Sequence, residues 1–262
     1  RVAAWLASEG LLLLLCIALA GTAAELLYVR FASASPGSTP LPEPPYPLQT
    51  APPYTIALDA GHGGMDTGAQ SLIDEVIVCD KTVAALYTLL STDPNFTPIL
   101  TRTPEEDPPI KDRAETATLA QASLLISVHA NQDGSRQSHG FECFPTPPGR
   151  LYSAESLHFA QCIVNNMASA GHRLRGETGI RFAYYNGKSK KIVDSTDTKV
   201  RSQKSFGIVE KVGCPAVLVE QCFITNYSDV ENWASDEGCT RAARLYYEAI
   251  CTYFGTTPLP KT

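Results

Sequence analysis

The chain has no CxxC pair, no run of lysines or arginines, and no internal repeat. Each absence removes a class of function. Without CxxC spacing, its eight cysteines argue against a cysteine-built zinc site or a dithiol redox motif. Cys16 lies in an apolar N-terminal segment. The others, Cys79, Cys143, Cys162, Cys214, Cys222, Cys239 and Cys251, are odd in number, so a fully paired disulfide scaffold is not expected. Charged residues make up 18% of the chain, less than the usual quarter, and the net charge is -6. That balance excludes an ordinary nucleic-acid-binding surface. Lys188, Lys190 and Lys191 are the densest basic cluster and read as a solvated loop. What is present is a hydrophobic fraction of 44% over 262 residues, enough for one sizeable domain with segments left over at the ends.

The chain begins at Arg1 without a methionine, and its natural start is expected upstream. Residues 11–20 are almost entirely apolar, and the wider stretch 11–29 carries one charged residue, Glu25. A secretory leader has an apolar run of about 7–15 residues before a small-residue cleavage site. Ala18-Leu19-Ala20 and Ala32-Ser33-Ala34 both offer such a site. A spanning helix needs about 20 apolar residues, which the segment just reaches. Residues 1–34 are therefore expected to be a signal peptide or a membrane anchor, and the protein to be exported, either secreted or held at the cell surface. Prolines crowd residues 35–53, and a semi-rigid polyproline spacer is expected there. Residues 54–254 are expected to form one domain and residues 255–262 a tail.

Within that domain strand-like and helix-like patterns alternate. Residues 75–90 place Val76, Cys79, Val83, Leu86 and Leu90 at helical spacing. Residues 98–102 read as a strand ending in a polar pair, 110–122 as an alanine-rich helix, and 124–128 and 140–144 as strands. Residues 153–170 read as a helix with Leu157, Ala160, Ile163, Val164 and Met167 inward, stopped by Gly171. Residues 176–204 are polar and read as a surface loop or hairpin. Residues 206–209 and 216–219 read as strands, and 236–254 as a last helix. Continuous apolar strands separated by helices predict an α/β fold with a mostly parallel central sheet flanked by helices.

Three apolar runs end in residues suited to catalysis. The first, Ile56 to Leu58, leads through Asp59-Ala60-Gly61 to His62, followed by Gly63 and Gly64. Glycines there let the backbone turn sharply and clear side chains from the imidazole. The second run, 124–128, ends at His129, and the third, Val217-Leu218-Val219, ends at Glu220. In open α/β sheets ligands bind beyond the carboxyl ends of the strands, so the three ends could share one crevice. Glu75, at the start of the first expected helix, complements the helix dipole. It would also complete a His62–Glu75–His129 triplet. Two imidazoles and one carboxylate, with a position left for water, make a catalytic zinc site. Glu220 would then be the free carboxylate that handles the proton. His139, His158 and His172 lack evident partners and read as surface residues.

These motifs resemble those of the zinc-dependent N-acetylmuramoyl-L-alanine amidases of the Amidase_3 type. The resemblance covers residues 54–254. It rests on Asp59-Ala60-Gly61-His62-Gly63-Gly64 with Asp66, Gly68 and Ala69; on Thr101-Arg102; and on Arg113 before Ile126-Ser127-Val128-His129-Ala130-Asn131. Gly140-Phe141-Glu142 and Pro215-Ala216-Val217-Leu218-Val219-Glu220, with Phe223 and Asn226, complete it. The resemblance implies a phosphorylase/hydrolase-like fold with one Zn2+ at the carboxyl edge of the strands. It implies His62, Glu75 and His129 as ligands, Glu220 as the catalytic acid/base, and peptidoglycan as substrate. Asp59 or Asp66 would steady His62 through its second nitrogen. Arg102 and Arg113 are expected as buried ion-pair partners, and Glu142 as a weaker rival to Glu220.

The chain also departs from the family pattern. Val76-Ile77 replaces a polar pair after Glu75, which leaves Asp74 open as a ligand, and Gln221-Cys222 precedes Phe223. Residues 176–204 fit the family poorly. Another zinc hydrolase of wall peptides and a non-catalytic wall-binding module on the same fold remain the alternatives. No separate wall-binding repeat is present.

Overall fold

The structure, a computed structural model, describes residues 41–260. The segment expected as leader or anchor, 1–34, and the first part of the proline-rich stretch lie outside the described residues. Among the described residues no helix is long and apolar enough to cross a membrane.

The chain alternates strands and helices as their apolar patterns require: β1 (Tyr54–Ala60), α1 (Glu75–Thr92), β2 (Phe96–Leu100), α2 (Ile110–Leu119), β3 (Leu124–Asn131), β4 (Glu142–Pro145) and α3 (Ser153–Ser169). Then follow β5 (Arg181–Asn186), β6 (Ser189–Asp194), α4 (Gly207–Lys211), β7 (Ala216–Phe223) and, after two helical turns, α5 (Asp236–Phe254). Helix α5 is well bounded. The Ser235 side chain accepts from the Gly238 N–H at its start, and Gly255, with φ 68°, closes it in the left-handed conformation that glycine adopts without strain.

Five strands form the central sheet in the order β2-β1-β3-β7-β4. Strands β2, β1, β3 and β7 run parallel, and β4 is antiparallel at the edge. Alternation along the strands divides the core in two. Ile56, Leu58, Leu124, Ile126, Val217 and Val219 pack with α1, α3 and α5. Ala57, Leu125, Ala216 and Leu218 pack with Ala114 and Ala117 of α2 and with Ile208 and Val209 of α4. By the same period of two, Asp59, Ser127, His129 and Glu220 leave the sheet on this second face. The mostly parallel sheet flanked by helices is thus as expected.

Two local readings differ. Residues 206–209, expected as a strand, lead into the short helix α4. A four-residue apolar run cannot distinguish strand from buried helical turn. Here Ile208 and Val209 are buried with α2, and that packing overrides their β-branched preference. The later part of the proline-rich stretch lies on the domain rather than standing off it. Tyr46 is buried and its hydroxyl donates to the Ala122 carbonyl at 2.9 Å. Gln49 Oε1 accepts from the Thr55 N–H at 2.8 Å and from Ser123 Oγ at 2.7 Å. Residues 176–204 contain a β5–β6 hairpin, closed by Gly187 and Lys188 between the Asn186 and Ser189 pair.

Candidate metal and proton-transfer site

Strand β1 ends at Ala60, and the glycine loop turns from it over the carboxyl edge of the sheet. His62 has φ 62°, a left-handed conformation that costs a non-glycine residue about 1–3 kcal/mol. Two buried arginines hold the loop there. Arg113 donates to the Ala60 and His62 carbonyls at 2.7 and 2.6 Å. Arg102 donates to the Ala60 and Gly61 carbonyls, both at 2.8 Å. Each also has carboxylate partners, Asp80 for Arg102 and Asp59 and Asp107 for Arg113. They are therefore ion-paired as expected, but each also gives two bonds to the backbone that presents His62. Sequence reasoning missed that role, because nothing in the local pattern says which carbonyls a distant guanidinium will meet.

Glycines make room for both rings. A Cβ at Gly61 would fall 2.3 Å from His129 Cε1, and one at Gly68 would fall 2.6 Å from His62 Cδ2. The two imidazoles sit edge to face with centroids 5.1 Å apart.

Glu75, buried at the first turn of α1, bridges them. Its Oε1 lies 3.0 Å from His129 Nδ1 and accepts from the Ala130 N–H. Its Oε2 lies 3.1 Å from His62 Nε2 and accepts from the Ala69 N–H. Nitrogen and oxygen donors of His62, Glu75 and His129 all lie within 4.8 Å of one another. The other His62 nitrogen, Nδ1, meets Asp66 Oδ2 at 2.8 Å, and Asp66 is itself fixed by the Gly68 N–H. Asp59 is engaged elsewhere, by Thr101 Oγ1 at 2.5 Å and Ser127 Oγ at 2.6 Å. Asp66 is thus the carboxylate that orients His62. Asp74 is not in the cluster; its nearest side-chain bond is to Gln70.

The electrostatics follow from this closeness. Burial disfavours charge on Glu75, but its bonds to His129 and His62 outweigh that and hold the carboxyl well below its usual range. Burial also opposes charge on His62, yet Glu75 and Asp66 raise the imidazole to about 9; burial opposes charge on His129 too, and Glu75 and Glu220 outweigh it and move that ring upward. Protons on the two rings balance the carboxylate here, and a metal ion bound to the same three donors would displace them. Two nitrogens and one carboxylate, with an oriented ring behind one of them, fit zinc.

Glu220 is the register partner of His129 on β3 and of Glu142 on β4. Its Oε2 is buried and has no hydrogen-bond partner. Burial raises its carboxyl to about 7; His129 opposes this, while Glu75 and Glu142 add to it. Glu142, the rival expected from sequence, is committed to two guanidiniums, Arg175 at 2.5 Å and Arg181 at 2.9 Å. Only Glu220 of the two has an oxygen free to take a proton. His62, His129 and Glu220 line a cleft of about 280 Å³ together with Pro108, Ile110 and Phe206.

Of the remaining histidines, His158 is exposed, but His172 is not the surface residue expected. It is buried, donates from Nε2 to the Gln221 carbonyl at 2.8 Å, and stacks on Trp233 with centroids 3.9 Å apart. Its aromatic partner lies 61 positions away by number and gives no local signal.

Comparison with known proteins points to one family. The family model described as N-acetylmuramoyl-L-alanine amidase, Amidase_3, matches residues 56–252. The N-acetylmuramoyl-L-alanine amidase LytC of Bacillus subtilis is 26% identical over 203 residues, which are 76% of this chain and 35% of LytC. The N-acetylmuramoyl-L-alanine amidase AmiC of Escherichia coli is 25% identical over 223 residues, 77% of this chain and 53% of AmiC. The chain thus spans about half or less of those two relatives. Among solved structures, the catalytic domain of CwlV from Bacillus (Paenibacillus) polymyxa superposes with a TM-score of 0.62 at 24% identity, covering 78% of this chain and 99% of that domain.

Proposed function

The chain belongs to the Amidase_3 family of N-acetylmuramoyl-L-alanine amidases, and on that premise we propose that it hydrolyses the amide between N-acetylmuramic acid and L-alanine in peptidoglycan. In this reading one Zn2+ is held by His62, Glu75 and His129, and Glu220 transfers the proton. Such a substrate puts the work outside the cytoplasmic membrane, at the cell surface. The observation that carries the reading is the convergence of three metal-binding side chains within 4.8 Å, beside a buried carboxylate whose second oxygen has no partner.

When bound, zinc supplies Lewis acidity, polarising the amide carbonyl and making water nucleophilic near neutral pH. The chain's own residues do the rest. Asp66 fixes the His62 ring through Nδ1, so that Nε2 faces Glu75. Arg102 and Arg113 hold the loop carbonyls against the strain at His62. Glu220, with a carboxyl near neutrality, accepts the proton of the attacking water and returns it to the leaving L-alanine nitrogen.

The test is metal analysis of the purified protein together with digestion of purified muropeptides and mass spectrometry of the products. An amidase frees the L-alanine amino group, whereas a peptidase or deacetylase would not. A protein without bound metal whose wall hydrolysis zinc does not restore would sink the proposal.

A further inference from the structure

The β5–β6 hairpin stands at the rim of the cleft and carries cations that the chemistry above does not employ. From Thr178 to Val193 the sequence has Arg181, Lys188, Lys190 and Lys191 and no carboxylate, in a chain of net charge -6. Arg181 is committed to Glu142. The antiparallel register sorts the others. Tyr185 pairs with Lys190 and Tyr184 with Lys191, so Lys190 and Lys191 leave the hairpin on opposite faces. Lys191 lines a separate hollow with Tyr184, Lys199 and Arg201. Lys188 lies in the turn.

Lys190 is on the face that meets Phe206. Its Nζ lies 5.5 Å from the centre of the Phe206 ring, and Tyr185 meets the same ring edge-on at 5.8 Å. Phe206 in turn lines the cleft with His62, His129 and Glu220. Lys190 is exposed and forms no ion pair among the described residues. Its positive charge reaches Glu220, where it counters the effect of burial. An aromatic floor under an ammonium attracts it and restricts where it points.

We propose that Lys190, supported by Phe206 and Tyr185, is an anion-reading subsite at the cleft rim and binds a free carboxylate of the substrate's peptide stem. The identity of that substrate rests on the amidase reading. N-acetylated sugars carry no cation-seeking charge along their chain, whereas a stem peptide supplies carboxylates beside the scissile amide. A lysine, as a compact point charge, suits one carboxylate without demanding the paired geometry of an arginine.

The experiment uses two synthetic stem peptides beginning with L-alanine. They are dipeptides that differ only in whether the second residue's α-carboxyl group is free or amidated. Binding is measured by calorimetry on the full chain and on Lys190→Met, Lys190→Arg and Lys188→Met. The wild type should bind the free carboxylate about twofold to fivefold more tightly, as expected for a charge pair open to solvent. Lys190→Met should abolish that preference, while Lys190→Arg and Lys188→Met keep it. In turnover of the matching muropeptides, Lys190→Met should raise KM for the free-carboxylate form more than for the amidated form. Equal binding of the two peptides by the wild type, or a preference that survives Lys190→Met, overturns the proposal. Peptide binding needs no turnover, so an inactive protein would count against the amidase reading while the subsite is still judged by the preference itself.

Discussion

His129 and Glu220 are register partners on the adjacent parallel strands β3 and β7, so their side chains leave the same face of the sheet side by side. One belongs to the His62–Glu75–His129 cluster and the other carries a carboxyl raised to about 7. Parallel pairing thus sets the proposed proton acceptor next to an imidazole of the proposed metal cluster without any loop to position it.

Glu220→Gln keeps the shape of the side chain and removes its capacity to accept a proton. Zinc content should stay at one ion per chain, while kcat falls by about 10²–10⁴, the usual contribution of a general base. Metal analysis and muropeptide turnover on the same preparation check this. Retained activity would move the proton role elsewhere.

His129→Ala removes one donor of the cluster and the Glu75 partner on that side. Metal affinity and activity should fall together. In the wild type, chelation should abolish activity and lower the thermal midpoint, and added zinc should restore both, because a ligand that binds only the folded state stabilises it. An unchanged metal content in His129→Ala would remove this residue from the site.

Arg113→Met leaves the carbonyls of Ala60 and His62 without their donor in a buried setting. The expected loss is about 3 kcal/mol, typical of a buried charged partner removed from its bonds. Denaturant unfolding measures it, and zinc affinity should weaken in parallel because the loop that presents His62 is no longer held. A stability within error of the wild type would show that water replaces the guanidinium.

Burial lowers the pKa of His172 below its ordinary value of 6.5, outweighing the Gln221 carbonyl that favours the charged form. The folded state therefore binds its proton less readily than the unfolded chain. The stabilisation is fully present above about pH 6.5 and is lost as pH falls from there through the lower folded value. His172→Gln should flatten stability over that acidic window relative to the wild type, measured by denaturant titrations at stepped pH. A difference between the two proteins that does not change between pH 7 and pH 5 would contradict this.

Much of the architecture was legible because it is written in short-range patterns. The apolar runs of β1, β3 and β7 are continuous, α1, α3 and α5 have clear helical spacing, and each strand ends in a conspicuous polar residue. The glycines around His62 likewise announced a turn. The short helix α4 was not legible, since Ile208 and Val209 suit either state until α2 covers them. Tyr46 was hidden inside a proline-rich composition whose average favoured a free spacer, although one aromatic ring with a distant carbonyl partner was enough to dock it.

By itself the sequence determined where the chemistry-bearing side chains stand along the chain: His62, His129 and Glu220 at strand ends and Glu75 at a helix start. Backbone conformation there depends on near neighbours, and near neighbours are what a sequence displays. The tertiary structure alone decided how charges are shared. It gave Asp66 to His62 and Asp59 to Thr101 and Ser127, and it neutralised Glu142 with Arg175 and Arg181 while leaving one oxygen of Glu220 free. Coulombic and hydrogen-bond partners act through a few ångströms of space, and which groups come that close is fixed only when β4 and β7 pair and the β5–β6 hairpin folds beside them.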